Sequence, residues 1–225
     1  MKTMTNRPPQ TTHAVSDAFI ASLVADLKPT PPLTQSGGMA RAGLAALAAI
    51  AIAIFGIGIR RDLAAGQLDP VFLLSSGLFL LLACASAWSV IQMSRPHVGN
   101  HQSGWIWAIA MAALLPVSAL LTWIVSLARG GTLTVDGEGW QCLVMGTVLG
   151  ALMPVLLALW LRRGAPTSPE RAGLLTGIAA GSSGIFAFAL HCPHNDIAHI
   201  GLWHGLAVVV SAVLGRLIVP SAIRW

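Results

Sequence analysis

The sequence predicts an all-α fold: a polytopic membrane protein with six transmembrane helices in a compact bundle and a short cytoplasmic amphipathic helix before them. Three observations lead there. Hydrophobic residues make up 55% of the 225 and charged residues 9%, and mean hydropathy is +0.74, which leaves too little charge to dress a water-soluble surface. Six apolar runs are each about long enough to cross a hydrocarbon layer ~30 Å thick, with membrane lipid as their surroundings. Apart from Arg216, the termini and short loops hold the Lys and Arg. The net charge of +5 would suggest nucleic acid in a soluble domain; spread over loops it sets topology instead, and no nucleic-acid partner is expected.

Residues 1–14 are polar, with Pro8 and Pro9, and hold no short apolar run with a cleavage site, so they read as neither signal nor transit peptide. In residues 15–27 the apolar Val15, Phe19, Ile20, Leu23, Val24 and Leu27 fall at helical spacing. Ser16 or Asp17 can cap the start, and Pro29, Pro31 and Pro32 end the helix. A helix of about 12 residues is marginal in water unless its apolar face is covered. Lipid is one cover, but interfacial helices usually carry Lys or Arg on the polar face and this one carries Asp17 and Asp26. A cytoplasmic partner that takes the helix into a groove suits the acidic face better. Residues 28–40, rich in Pro, Thr, Ser and Gly, read as a tether, dividing the chain into 1–40 and a membrane domain 41–225.

The spans are expected at about 42–59, 71–93, 105–127, 141–161, 172–190 and 200–219, the fourth kinked at Pro154. With both termini inside, the cytoplasmic segments hold Lys2, Arg7, Lys28, Arg41, Arg95, Arg162, Arg163, Arg171, Arg216 and Arg224, against Arg60, Arg61 and Arg129 outside. Arg60 and Arg61 run against this bias. The third-to-fourth loop, with Asp136 and Glu138, is comfortable outside. Only His204 and Arg216 are ionisable within the spans, near the ends of the sixth. Ion-coupled carriers keep charge on the substrate path, so a small polytopic transporter or metal-handling protein is the weaker alternative. Gly173, Gly177 and Gly181 in the fifth span, with Gly146 and Gly150 in the fourth, predict close helix packing.

The cysteines separate by depth. Cys84 falls mid-membrane in the second span and reads as a small buried hydrophobe. Cys142 falls at the outer end of the fourth span and Cys192 just past the outer end of the fifth, both facing an oxidising compartment. They share a depth by chance, or they pair if their Cα atoms come within about 7 Å. His191, His194 and His199 stand near Cys192, with His204 further along the sixth helix. Thiolate with imidazole suits zinc or copper, so a transient thiophilic ion on Cys142, Cys192 and one or two histidines is the one cofactor the sequence admits. Loop histidines that are merely solvated are the other reading. No nucleophile motif accompanies Asn195-Asp196, and no enzyme is expected.

The order Cys142-Leu143, Pro154, Trp160, Arg162-Arg163, Ala165-Pro166, Pro169, Gly173, Gly177, His191-Cys192, Leu202-Trp203 and Arg224-Trp225, opened by Leu23, Asp26-Leu27 and Pro29, resembles the NrsF family, six-helix inner-membrane anti-sigma factors of proteobacteria. The resemblance implies a protein of the bacterial inner membrane, both termini cytoplasmic. Through its N-terminus, here the face of Phe19, Ile20, Leu23, Val24 and Leu27, it would hold an extracytoplasmic-function sigma factor and release it under metal or oxidative stress. The resemblance also maps the family's two periplasmic sensing cysteines onto Cys142 and Cys192. The chain departs from the family at His204, where members commonly have Tyr after the Trp, and in its additional His194-Asn195.

Overall fold

The computed structural model describes residues 17–27, 32–94, 104–130, 137–164 and 166–223. The polar opening 1–14, the helix cap Ser16, Pro29 and Pro31 of the tether, Arg95, Asp136, Ala165 and the terminal Arg224-Trp225 lie outside these residues. Among the described residues every regular element is helical. The chain divides into two units, 1–32 and 33–225.

In the first unit, α1 (Asp17–Ala25) carries Asp17 in its first turn, where a carboxylate meets the positive end of the helix dipole. Phe19, Ile20, Leu23 and Val24, with Leu27 just beyond the helix, are all exposed, between 47% and 72%.

Among the described residues of the second unit six helices are long and apolar enough to cross a membrane: Gln35–Ile57, Pro70–Met93, Gly104–Ala128, Trp140–Leu161, Pro169–Ala189 and Ile197–Ile223. The first starts inside the segment expected as tether. Thr34 supplies the reason: its backbone is extended and its hydroxyl accepts the Gly37 N–H, an N-cap that makes residues from Gln35 onward helix. α2 (Gln35–Ile52) runs into a π-helical turn, Ala53–Ile57, closed by the Gly58 N–H on the Ala53 carbonyl at 2.9 Å. Gly58 then turns the chain out with φ +104°, a conformation that glycine adopts without steric cost.

After the single turn α3 (Arg61–Ala64), Asp69 caps α4 (Pro70–Met93) by accepting the Val71 and Phe72 N–H groups, and Pro70 takes the first helical position. α5 (Gly104–Ala128) follows. The fourth apolar helix, expected to kink at Pro154, divides at Ala151 into α6 (Trp140–Gly150) and α7 (Leu152–Leu161). Pro154 offers no N–H to the carbonyl four residues back, and the helix yields there.

α8 (Pro169–Ala189) is the innermost helix, with 89% of its apolar window buried. Its glycines explain this. A Cβ on Gly177 would strike the Ser211 carbonyl, one on Gly173 the Gly215 carbonyl, and one on Gly150 the Ala180 carbonyl. α8 therefore meets α10 (Gly205–Ile223) and α6 backbone to backbone.

At one end of these helices the Arg41 guanidinium lies 4.9 Å over the Trp160 ring and that of Arg171 lies 5.1 Å over Trp105. At the other end the Arg60 N–H donates to the Leu190 carbonyl at 2.9 Å, and Cys142 approaches Cys192 and His199. These contacts require consecutive apolar helices to alternate in direction.

Candidate functional site

Each side chain of the site is placed by a local device. Cys142 lies in the first turn of α6, its N–H on the Gly139 carbonyl at 3.0 Å. Cys192 closes the last turn of α8 through its N–H on the Phe188 carbonyl, also at 3.0 Å. Asp196 then caps the next helix, accepting the His199 N–H at 3.0 Å and so starting α9 (Ile197–His199).

His199 and His204 are five residues apart, which on an α-helix leaves them about 140° apart around the axis. The intervening residues, Ile200–His204, form a π-helical turn instead, closed by the Gly205 N–H on the Ile200 carbonyl. A turn with i to i+5 closure sets the two histidines one above the other. Their rings meet edge to face with centroids 5.5 Å apart.

The result is a buried cluster. The Cys142 and Cys192 Sγ atoms are 3.8 Å apart, and His199 Nε2 lies 3.4 Å from the first and 3.7 Å from the second. A ring nitrogen of His204 completes the group, with all four donor atoms within 4.8 Å of one another. All four residues are between 2% and 6% exposed, and His204 Nε2 is buried with no hydrogen bond among the described residues. The 3.8 Å between the two sulfurs is the contact of two thiols. The Cys142 thiol, followed by His199 and His204, holds the Cys192 thiol well below the usual thiol range, against an opposing push from burial. Two cysteine sulfurs and two imidazoles are the donor set of zinc and its soft congeners.

Of the residues singled out in the sequence, Cys142, Cys192 and His199 come together. His191 and His194 do not. His191 is turned away, its Nδ1 3.0 Å from the Gly58 carbonyl, and the exposed His194 stacks on His199 with centroids 4.6 Å apart. His204 takes the fourth place, which helical periodicity conceals. Cys84 corrects an expectation: it is exposed, on the outer stripe of α4 with Leu80, Leu81 and Trp88, rather than a buried hydrophobe.

Beside the cluster lies a clasp that the sequence reading missed, although Arg60-x-Asp62 signals it. Arg60 is 6% exposed. Its Nε donates to Asp62 Oδ1 at 2.6 Å and its Nη1 to Asn195 Oδ1 at 3.0 Å, and its guanidinium lies 5.0 Å over the Phe72 ring. Arg60 in turn holds the Asp62 carboxyl below the usual carboxylate range. The loop that carries Cys192 is thus tied to the end of the first apolar helix at three points: Leu190 to Arg60, His191 to Gly58, and Asn195 to Arg60.

Fold and site together define a class: a helical protein with six membrane-length helices and, among its described residues, one buried cysteine and histidine centre. The family described as NrsF, negative regulator of sigma F, matches residues 23–225, and the chain belongs to it. The chain is similar to the anti-sigma-F factor NrsF of Caulobacter vibrioides, with 29% identity over 218 residues, covering 95% of this chain and 99% of the relative. It is similar also to the probable anti-sigma-F factor NrsF of Azospira oryzae, with 29% identity over 172 residues, 74% of this chain and 78% of the relative. No solved structure matches the chain. The family is one of anti-sigma regulators, not of enzymes.

Proposed function

We propose that the chain is an inner-membrane anti-sigma factor with both termini in the cytoplasm. Residues 1–40 capture a sigma factor of the extracytoplasmic-function class, and residues 41–225 cross the membrane six times as a compact sensor bundle. The face of Phe19, Ile20, Leu23, Val24 and Leu27 is the capture surface. Cys142 and Cys192, on the periplasmic side, sense metal or oxidative stress and trigger release. The observation that carries the reading is the exposure of all five apolar side chains on and beside α1, in a chain of an anti-sigma family. A short helix with such a face is stable only when something covers it, and a groove on a partner protein is a recurrent cover.

The test is co-purification of the full-length protein in detergent with the extracytoplasmic-function sigma factors of its host, with and without residues 17–27. The intact chain retains one such sigma factor and the shortened chain does not. Equal retention by both, or by neither, contradicts the assignment.

A further inference from the structure

We infer that Cys142, Cys192, His199 and His204 form a closed, four-ligand site for a resident divalent d10 ion of the zinc class. The inference rests on the sensor reading above and names what that sensor holds at rest. Four features of these residues support it.

The first is distance. A tetrahedral zinc ion with bonds of about 2.3 Å to sulfur and about 2.05 Å to nitrogen sets two sulfurs ~3.8 Å apart and a sulfur and a nitrogen ~3.5 Å apart. The protein holds its sulfurs at 3.8 Å and the two sulfur to His199 distances at 3.4 and 3.7 Å. A disulfide requires its sulfurs at about 2.05 Å. The spacing matches two thiolates on one ion and is far too long for a disulfide.

The second is charge. Binding of the dication displaces one proton from each thiol, so the loaded centre holds one dication, two thiolates and two neutral imidazoles and is neutral overall. Neutrality is what a site of 2% to 6% exposure demands, because a net charge buried there would carry a large desolvation cost.

The third is an unmet donor. His204 is 3% exposed, and its Nε2 makes no hydrogen bond among the described residues, although a buried ring nitrogen ordinarily finds a partner. The fourth is the backbone. The π-helical turn Ile200–His204 has the geometric effect of bringing His204 onto the face of His199, and such turns gather at functional sites. With four protein donors the site leaves no open position, the mark of a structural rather than a catalytic zinc.

The ion would pin the start of α6 to the loop after α8 and to the start of the last helix. Through Leu190, His191 and Asn195 that loop is tied to the end of the first apolar helix, the helix that follows the capture segment. Ejection of the ion, or its exchange for a larger one, would therefore be felt at the first span.

The test is metal content of the full-length protein purified in detergent, stripped with a chelator and reloaded with Zn2+ alone, followed by Co2+ substitution. The expected result is one zinc per chain, and a cobalt form with thiolate charge-transfer bands and intense tetrahedral d–d absorption. His204→Phe loses at least nine-tenths of the zinc. His204→Cys retains it and strengthens the charge-transfer band, which a residue of merely structural importance would not do. His194→Ala and Cys84→Ser retain zinc at wild-type level. Wild-type protein that elutes as a single species yet binds neither ion overturns the inference, as does full zinc retention by His204→Phe. Sigma-factor capture is measured on the same preparations: capture without metal removes the site and leaves the anti-sigma reading, and metal without capture does the reverse.

Discussion

Arg60 shows how one side chain can mislead a charge count and then explain itself. As a loop cation on the side expected to be periplasmic it opposes the positive-inside bias, yet it is buried, paired with Asp62 and bonded to Asn195. It holds structure together and is no free surface charge. We expect Asn195→Ala, which leaves a buried guanidinium short of an acceptor, to cost about 1–3 kcal/mol locally and to loosen the loop that carries Cys192. The measurement is the rate of Cys192 labelling by a small maleimide in metal-stripped membranes. A rise of several-fold is predicted, and an unchanged rate would show that the clasp does not govern the loop. The cysteines of the centre were legible in the sequence because depth along a span can be counted. His204 was not, because a count of 3.6 residues per turn puts it on another face from His199, and the π-helical turn that corrects this has no signature in residue type. Arg60 escaped for a related reason: its acceptor Asn195 is distant in sequence, and only the meeting of two loops joins them.

At the scale of elements, α1 and α8 make opposite demands. In the capture role proposed above α1 offers its apolar face to a partner, and Leu23→Asp would place a carboxylate in that interface. The predicted cost is about 2 kcal/mol or more, which is roughly 30-fold in affinity, so a sigma-dependent reporter should be on without stress. A reporter that stays silent in Leu23→Asp cells would exclude this face. α8 must lie against its neighbours without side chains between. Gly177→Leu drives a side chain into the Ser211 carbonyl, and overpacking of this kind costs about 1–3 kcal/mol. A lower aggregation temperature in detergent is expected, with a smaller change for Gly77→Leu, where a Cβ meets nothing within 4 Å. Element by element, the apolar runs and Pro154 were readable from the sequence, since length, hydropathy and proline chemistry are local. The first helix starts earlier than expected because the Thr34 cap outweighs the flexible composition of the following Gln35-Ser36-Gly37-Gly38.

For the whole molecule, alternation of the apolar helices puts Arg41, Arg171, Trp105 and Trp160 at one end and the cysteine and histidine centre at the other. Reporter fusions after Pro32 and Thr167 should give cytoplasmic signals, and fusions after Gln67 and Asn195 periplasmic ones. A cytoplasmic signal at Asn195 would place both cysteines in a reducing compartment and remove the sensor. To take a sigma factor from mostly bound to mostly free, the signal must supply about 5 kcal/mol of preference for the releasing state. Gain or loss of a thiolate-bound ion, about 10–16 kcal/mol for a structural zinc, is large enough to supply it, and helices in backbone contact favour discrete arrangements over gradual bending. The central claim is that Cys142 and Cys192 work as one switch on sigma release. The most direct measurement is sigma-dependent reporter output, with and without cadmium or oxidant, in Cys142→Ser, Cys192→Ser, the double variant and Cys84→Ser cells. The account predicts that the two single variants alter induction equally, that the double variant adds little because one switch cannot be broken twice, and that Cys84→Ser responds as wild type. Wild-type induction in both single variants, or loss of induction in Cys84→Ser alone, would contradict it.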